Sequence, residues 1–243
     1  LNPSSLSITL WLYPPGASKS VTFRRPGKSA FAAIAGPSRV ELRARAGKLL
    51  GQAPVPLEDG GETAGTRLDV PLPKSGSLAR GLYEVRVELP VRAAGRAAIE
   101  TLRAETGFWI YDASMLAGGR ALTMGRDYFL LDGRPFPVTG TTYMASDVHR
   151  RFLLEPNPWL WERDAAAMAA AGVNLLRTGI WAGWKEHCSE ASTPREDVLR
   201  AAEVFLLTAR AHDLPVIFTL FAFVPESWGG VNPYLDPWSI AAQ

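Results

Sequence analysis

Arg177 stands inside "GVNLLRTGIW" (residues 172–181), an apolar run that otherwise reads as a buried strand. Such a run accommodates a guanidinium by pairing it with a core carboxylate, or by letting it snorkel at the strand end with its stem buried. Two tryptophans, Trp181 and Trp184, follow at once in "WAGW". A second aromatic cluster, "GFWIYD" (107–112), either lines a sugar site or fills a last core strand, and rings in a strand usually fill the core. The histidines His149, His187 and His212 show neither His-x3-His nor His-x-His spacing, so no zinc site is expected. Cys188 is alone, which rules out an intrachain disulfide and any cysteine-based metal site. There is no GxGxxG and no phosphate loop, and the sequence implies no cofactor.

Composition narrows the class. Of 243 residues, 47% are apolar and 21% charged, as in ordinary globular proteins, and the length suits one large domain or two ordinary ones. The net charge is +2 and no basic run occurs, so no nucleic-acid partner is expected. The longest apolar stretch near the C-terminal end, "LPVIFTLFAFVP", is far short of the roughly 20 residues that cross a bilayer, so no membrane partner is expected either. "LNPSSLSITL" lacks the basic start and cleavage site of a signal peptide and has no initiator methionine, which reads as a mature or trimmed chain.

Two halves with different periods must position these residues. Residues 1–112 read as short strands: 6–14, 20–25, 39–47, 81–91, and one or two strands over 96–112. In 39–47, Val40, Leu42, Ala44 and Ala46 oppose Glu41, Arg43 and Arg45. In 81–91, Tyr83, Val85, Val87 and Leu89 oppose Leu82, Glu84, Arg86 and Glu88. Period-2 patterning with Gly/Pro punctuation predicts an antiparallel β-sandwich, Ig-like or jelly-roll-like. Residues 51–66 read as a loop and 113–125 as a linker.

The second half, 126–243, opens with "LDGRP", a hairpin turn between two apolar runs. After residue 135 the period changes. Strand 136–144, helix 157–172, strand 173–181, helix 193–213, strand 214–223 and the start of a helix at 232 follow in turn. The first helix carries Asn157 at its N-cap, Pro158 in its first turn and Gly172 past its end. The second opens with Thr193 and Glu196, a capping-box pattern. This β/α alternation predicts a parallel sheet.

"YFLLDGRPFPVTGTTY" (128–143), then "AGVNLLRT" (171–178) and "NPYLDP" (232–237), resemble the opening of the (β/α)8 catalytic barrel of the large retaining glycoside hydrolase clan. That clan includes β-galactosidases, β-glucuronidases, β-mannosidases, cellulases and mannanases, and a β-sandwich often precedes its barrel. The resemblance implies the first three β/α units of a TIM barrel, with the active-site rim at the C-terminal ends of the strands. It places Arg177 at that rim, hydrogen-bonded to the catalytic nucleophile and keeping it ionised. It makes Tyr143, Trp181, Trp184, Trp228 and Tyr234, all past strand ends, candidate platforms for sugar rings. Asp147, Glu186 and Glu226 stand in the same loops as candidate partners of sugar hydroxyls, with His149 and His187 beside them. For each, the ordinary alternative is a solvated loop charge or an aromatic that seals the barrel top.

A whole barrel takes about 250 residues. In the clan, the general acid follows strand 4 in an Asn-Glu pair and the nucleophile follows strand 7. The sequence holds no Asn-Glu dipeptide. No catalytic carboxylate is therefore expected among these residues; both are expected beyond Gln243, in the same or another chain. Three units alone would expose a parallel edge and apolar helix faces, so the segment is expected to need its remainder or a partner. The expected activity is hydrolysis of a β-linked oligo- or polysaccharide by retaining double displacement. The rivals are a non-catalytic carbohydrate-binding or assembly module on the same scaffold, and an unrelated β-sandwich with a small α/β domain. By family, a secreted or periplasmic location is favoured.

Overall fold

The computed structural model of the chain describes residues 12–13, 20–24, 31–34, 37, 39–54, 67–71, 78–93, 98–181, 187–188 and 193–220. They form a β-rich protein with antiparallel sheets and a few helices. The chain divides into two units, Leu1–Asp112 with Asn157–Leu160, and Ala113–Pro156 with Trp161–Gln243.

The first unit holds eight strands: β1 (Leu12–Tyr13), β2 (Ser20–Arg24), β3 (Phe31–Ile34), β4 (Arg39–Ala44), β5 (Leu49–Pro54), β6 (Arg67–Pro71), β7 (Gly81–Ala93) and β8 (Ile99–Ile110). The main sheet runs β1-β8-β7-β4-β5, with β3 also on β7; β2 and β6 form a separate antiparallel pair. Only β1 on β8 is parallel among these pairings. The alternation read in the sequence sorts the two faces. Val40, Leu42, Val85, Val87 and Phe108 are buried on one, where Tyr83 stacks on Phe108 at 5.5 Å. Each such side chain contributes about 1.5–3 kcal/mol on burial.

The opposite face carries a charge ladder. The register aligns Arg39 with Glu88 and Arg103, and Glu41 with Arg86 and Glu105. Arg43 lies beside Glu84. Ion pairs run across and along the strands: Arg43–Glu41 at 2.7 Å, Arg86–Glu84 at 2.9 Å, Arg86–Glu105 at 3.2 Å and Arg103–Glu88 at 3.0 Å. Opposite charges directly across a sheet stabilise the pairing, and like charges there would oppose it. This compensation is why Glu84, with 3% of its side chain exposed, tolerates burial. Gly107 supplies the space beside it. A Cβ there would meet Tyr83 O at 2.9 Å and Trp159 N at 3.1 Å, where the chain of Asn157–Leu160 packs close.

One sequence reading changes here and two are narrowed. The stretch read as one or two strands over 96–112 carries one long strand, because β8 pairs with β7 from Ile99 to Ile110. In "GFWIYD", Phe108, Trp109 and Ile110 are the buried end of this strand, in the core. The stretch read as a loop from 51 begins as β5, paired to β4 as far as Pro54; residues 55–66 lie outside those described.

The second unit opens with α1 (Ala113–Ala117) and a meander of β9 (Leu122–Met124), β10 (Phe129–Leu131) and β11 (Arg134–Pro135). The stretch read as a linker thus contains a helix and a paired strand, β9 being held by β10. In the hairpin turn Asp132 and Gly133 both have positive φ, 52° and 76°, the pairing that an Asp-Gly two-residue turn demands. Then come β12 (Gly140–Thr142), α2 (Pro158–Ala170), β13 (Leu175–Gly179), α3 (Glu196–Arg210) and β14 (Val216–Thr219). The three strands pair in parallel, in chain order: Thr141 beside Leu176 and Leu176 beside Val216. Residues 221–243, including the expected third helix, lie outside the described residues.

Both long helices end by local rules. Asn157 Oδ1 accepts the Leu160 N–H at 3.1 Å, the cap read from the sequence. At its far end Val173 N–H donates to Met168 O and Gly172 N–H to Ala169 O, each at 3.0 Å, with Gly172 at φ 83°. That is a Schellman close, for which glycine is the residue of choice. α3 ends in the same pattern on Asp213, at φ 53°. Its start departs from the expected capping box. Pro194 bridges Cys188 and Arg195 N–H donates to His187 O at 2.8 Å, so the helix begins after Arg195 with no side-chain cap. The core of this unit is aromatic: Phe152, Trp161, Phe205 and Tyr143 meet at centroid separations of 5.2–5.9 Å.

Candidate functional site

β13 explains how an arginine fits an apolar strand. Leu176 and Thr178 are buried without remainder, while Arg177 between them is exposed on the other face. In the parallel register Arg177 lies in a row with Thr142 and Ile217, both exposed. Its guanidinium carbon stands 5.0 Å from the centroid of the Trp181 ring, past the C-terminal end of the strand. That is within cation–π reach. Among the described residues Arg177 makes no ion pair.

The ring beneath it is fixed by hydrogen bonds. Trp181 Nε1–H donates to Tyr143 O at 3.2 Å and lies 3.3 Å from Thr178 Oγ1. The Thr178 hydroxyl donates to the same carbonyl at 3.0 Å. Tyr143 N–H in turn donates to Arg177 O at 2.8 Å, which extends the β12–β13 pairing by one step. The ends of two neighbouring strands are thereby tied together.

Tyr143 is not an open platform. It is 5% exposed, its ring stacks on Phe205 at 5.2 Å, and its hydroxyl donates to Asp164 Oδ2 at 2.9 Å. Burial, and then the Asp164 carboxylate, push its phenol far above the ordinary tyrosine range. Trp181, 6% exposed, is likewise mostly covered, and it offers a support for Arg177 in place of a free stacking face. Asp147 is exposed; its Oδ1 accepts the Val148 N–H at 2.7 Å. Partial burial raises its carboxyl pKa, and the carboxylates of Asp164 and Glu155 add to the rise. His149 is exposed, with backbone in the left-handed region at φ 50°, and His187 is buried. Trp184, Glu186, Glu226, Trp228 and Tyr234 lie outside the described residues.

The structure thus brings Tyr143, Arg177 and Trp181 together and adds Asp164 and Thr178, which sequence reasoning missed. Thr178 carries a weak signal, a hydroxyl on the buried side of an apolar strand. Asp164 carries none, since its partner is 21 residues away in sequence. A separate groove of about 360 Å³, lined by Met124, Tyr128, Phe129, Phe136 and Val138 among others, contains none of the residues named from the sequence. Among the described residues no cluster of three His, Cys, Asp or Glu side chains is disposed to hold a metal, and no helix is long and apolar enough to cross a membrane.

No protein-family model matches the chain, and no curated protein matches it. Among solved structures it is similar to a Bifidobacterium dentium β-glucuronidase in complex with coumarin-3-O-glucuronide, at 15% identity and TM-score 0.27, over 88% of this chain and 30% of that one. A Parabacteroides merdae β-glucuronidase matches at 13% identity and TM-score 0.28, over 93% and 31% of the two chains. A Bacteroides ovatus GH5 xyloglucanase in complex with a XXXG heptasaccharide matches at 13% identity and TM-score 0.22, over 89% and 45%. The chain spans less than half the length of each. At these identities and scores the likeness to glycoside hydrolases is distant and carries no residue role or activity to this chain.

Proposed function

We propose that the chain is a β-sandwich followed by the first three β/α units of a (β/α)8 glycoside hydrolase barrel. In this reading it acts on β-linked oligo- or polysaccharides by the retaining mechanism. One carboxylic acid protonates the leaving oxygen, and a carboxylate about 5 Å away forms the glycosyl-enzyme. Arg177 has the place and charge to keep that carboxylate ionised. The acid and the nucleophile are assigned to the part of the barrel that follows its third β/α unit. The partners are a carbohydrate and the strands that complete the barrel, in this or another chain. The working location is outside the cytoplasm.

One observation supports this best. β12, β13 and β14 pair in parallel in chain order, and beside them stands an arginine with an aromatic support. The same arrangement of strands and arginine supports a second reading, a carbohydrate-binding or assembly module on the same scaffold without the reaction. Aryl β-glycosides incubated with the natural gene product decide between them. Hydrolysis with net retention, reduced at least 100-fold in Arg177→Ala, supports the enzyme. Binding without turnover supports the module, and neither binding nor turnover refutes both.

A further inference from the structure

The site has a buried support that reaches it from α2. Every polar group of Tyr143 is engaged: hydroxyl to Asp164, N–H to Arg177 O, carbonyl to Thr178 Oγ1 and Trp181 Nε1. Its ring is held against Phe205 and, edge-on, against Phe152. Beyond it, the Arg177 guanidinium has only the Trp181 ring among the described residues.

The magnitudes decide what keeps the guanidinium in place. A single cation–π contact returns less free energy than an arginine gives up in rotamer freedom when it is fully ordered. The contact alone therefore holds the side chain weakly, and it does so only while the ring stays within about 6 Å. At 5.0 Å, a retreat of the indole by about 1 Å ends it. A hydroxyl donated to a carboxylate is a charge-assisted hydrogen bond, so the Tyr143–Asp164 bond is the stronger link.

We propose that Asp164 and Tyr143 are positioning residues for Arg177. Asp164 anchors the Tyr143 hydroxyl, Tyr143 fixes the carbonyl that ties the Trp181 indole, and the indole fixes the guanidinium. The inference rests on the proposed function only for what the pair is used for; the linkage itself stands on geometry.

The test is an NMR measurement on the whole 243-residue chain. Its readouts are the Arg177 Nε–H and Trp181 Nε1–H resonances. A ring current shifts the Arg177 Hε upfield, and its loss in Trp181→Leu identifies it. In both Tyr143→Phe and Asp164→Ala the upfield shift should be lost and the indole N–H should move, while the Leu175–Thr178 amides stay in place. Leu207→Ala, a core truncation on α3 outside the linkage, should retain the shift. Retention of the shift in Asp164→Ala overturns the proposal, as does equal loss in Leu207→Ala. Should Tyr143→Phe fail to fold, Asp164→Ala carries the test. No sugar enters this measurement, so failure of carbohydrate binding would refute the proposed function and leave this inference standing.

Discussion

Gly179→Ala is the sharpest perturbation of the parallel sheet. A Cβ built on Gly179 would lie 2.0 Å from Thr219 O, 2.7 Å from Thr219 C and 2.8 Å from Thr219 Cβ. Cβ contacts below 3.0 Å essentially never occur, so the oxygen must retreat by at least 1.0 Å (3.0 minus 2.0). That oxygen is backbone, and its retreat moves β14 off the end of β13, where Gly179 pairs with Thr219. It also breaks the bond that Ile180 N–H donates to Thr219 O at 2.9 Å. Overpacking of a tight contact costs about 1–3 kcal/mol, and the lost hydrogen bond adds about 1 kcal/mol. The sum, about 2–4 kcal/mol, is a large share of the roughly 5–15 kcal/mol that holds a domain folded. Urea denaturation followed by tryptophan fluorescence and far-UV circular dichroism reads it as a lower midpoint. A variant within about 0.5 kcal/mol of the parent, the range of neutral surface changes, would refute the β13–β14 register.

Other perturbations test separate parts of the fold. Gly172→Ala should cost about 1 kcal/mol because it forces a Cβ into the left-handed close of α2, whereas Asp213→Gly in the equivalent close of α3 should gain up to about 1 kcal/mol; thermal melts of the pair should move in opposite directions. Arg86→Met removes the partner of the buried Glu84 and should cost about 3–5 kcal/mol, while the double change with Glu84→Leu should recover most of the loss, and a denaturant double-mutant cycle measures it. For Glu88, partial burial raises the carboxyl pKa, but the bonds and charges of Arg103 and Arg39 outweigh it and hold the group below its ordinary value. A lowered folded pKa means stability that is complete above the ordinary glutamate value and lost as pH falls through the folded one. Arg103→Ala should therefore flatten the acid limb of the stability curve below about pH 4.5, and an unchanged limb would count against this pairing.

Where the determinants were local, the sequence was readable. The Asp132-Gly133 turn, the Asn157 cap and the Gly172 close each depend on a few neighbouring residues, and the structure has all three. The alternation of strand and helix after residue 135 likewise led to three parallel strands. The two faces of β4 and β7 were visible in their period, but the charge ladder was not, because register is set by chain segments some 40 residues apart. Tyr143 reads from sequence as a rim aromatic. It turns inward because Asp164 and Phe205 receive it, and that is a tertiary fact. Thr193 and Glu196 have the letters of a capping box, but the Cys188–Pro194 bridge sets a different start for the helix.

The central claim of the proposed function is that a carbohydrate binds at the end of the parallel sheet where Arg177 stands on Trp181. Titration of β-linked oligosaccharides into the ¹⁵N-labelled chain, read at the Arg177 Nε–H and the Trp181 Nε1–H, tests it most directly. The account predicts saturable shifts at both resonances, with affinity lowered about tenfold or more in Arg177→Ala, equivalent to about 1.4 kcal/mol. Shifts confined to other parts of the chain, or affinity unchanged in Arg177→Ala, would contradict it.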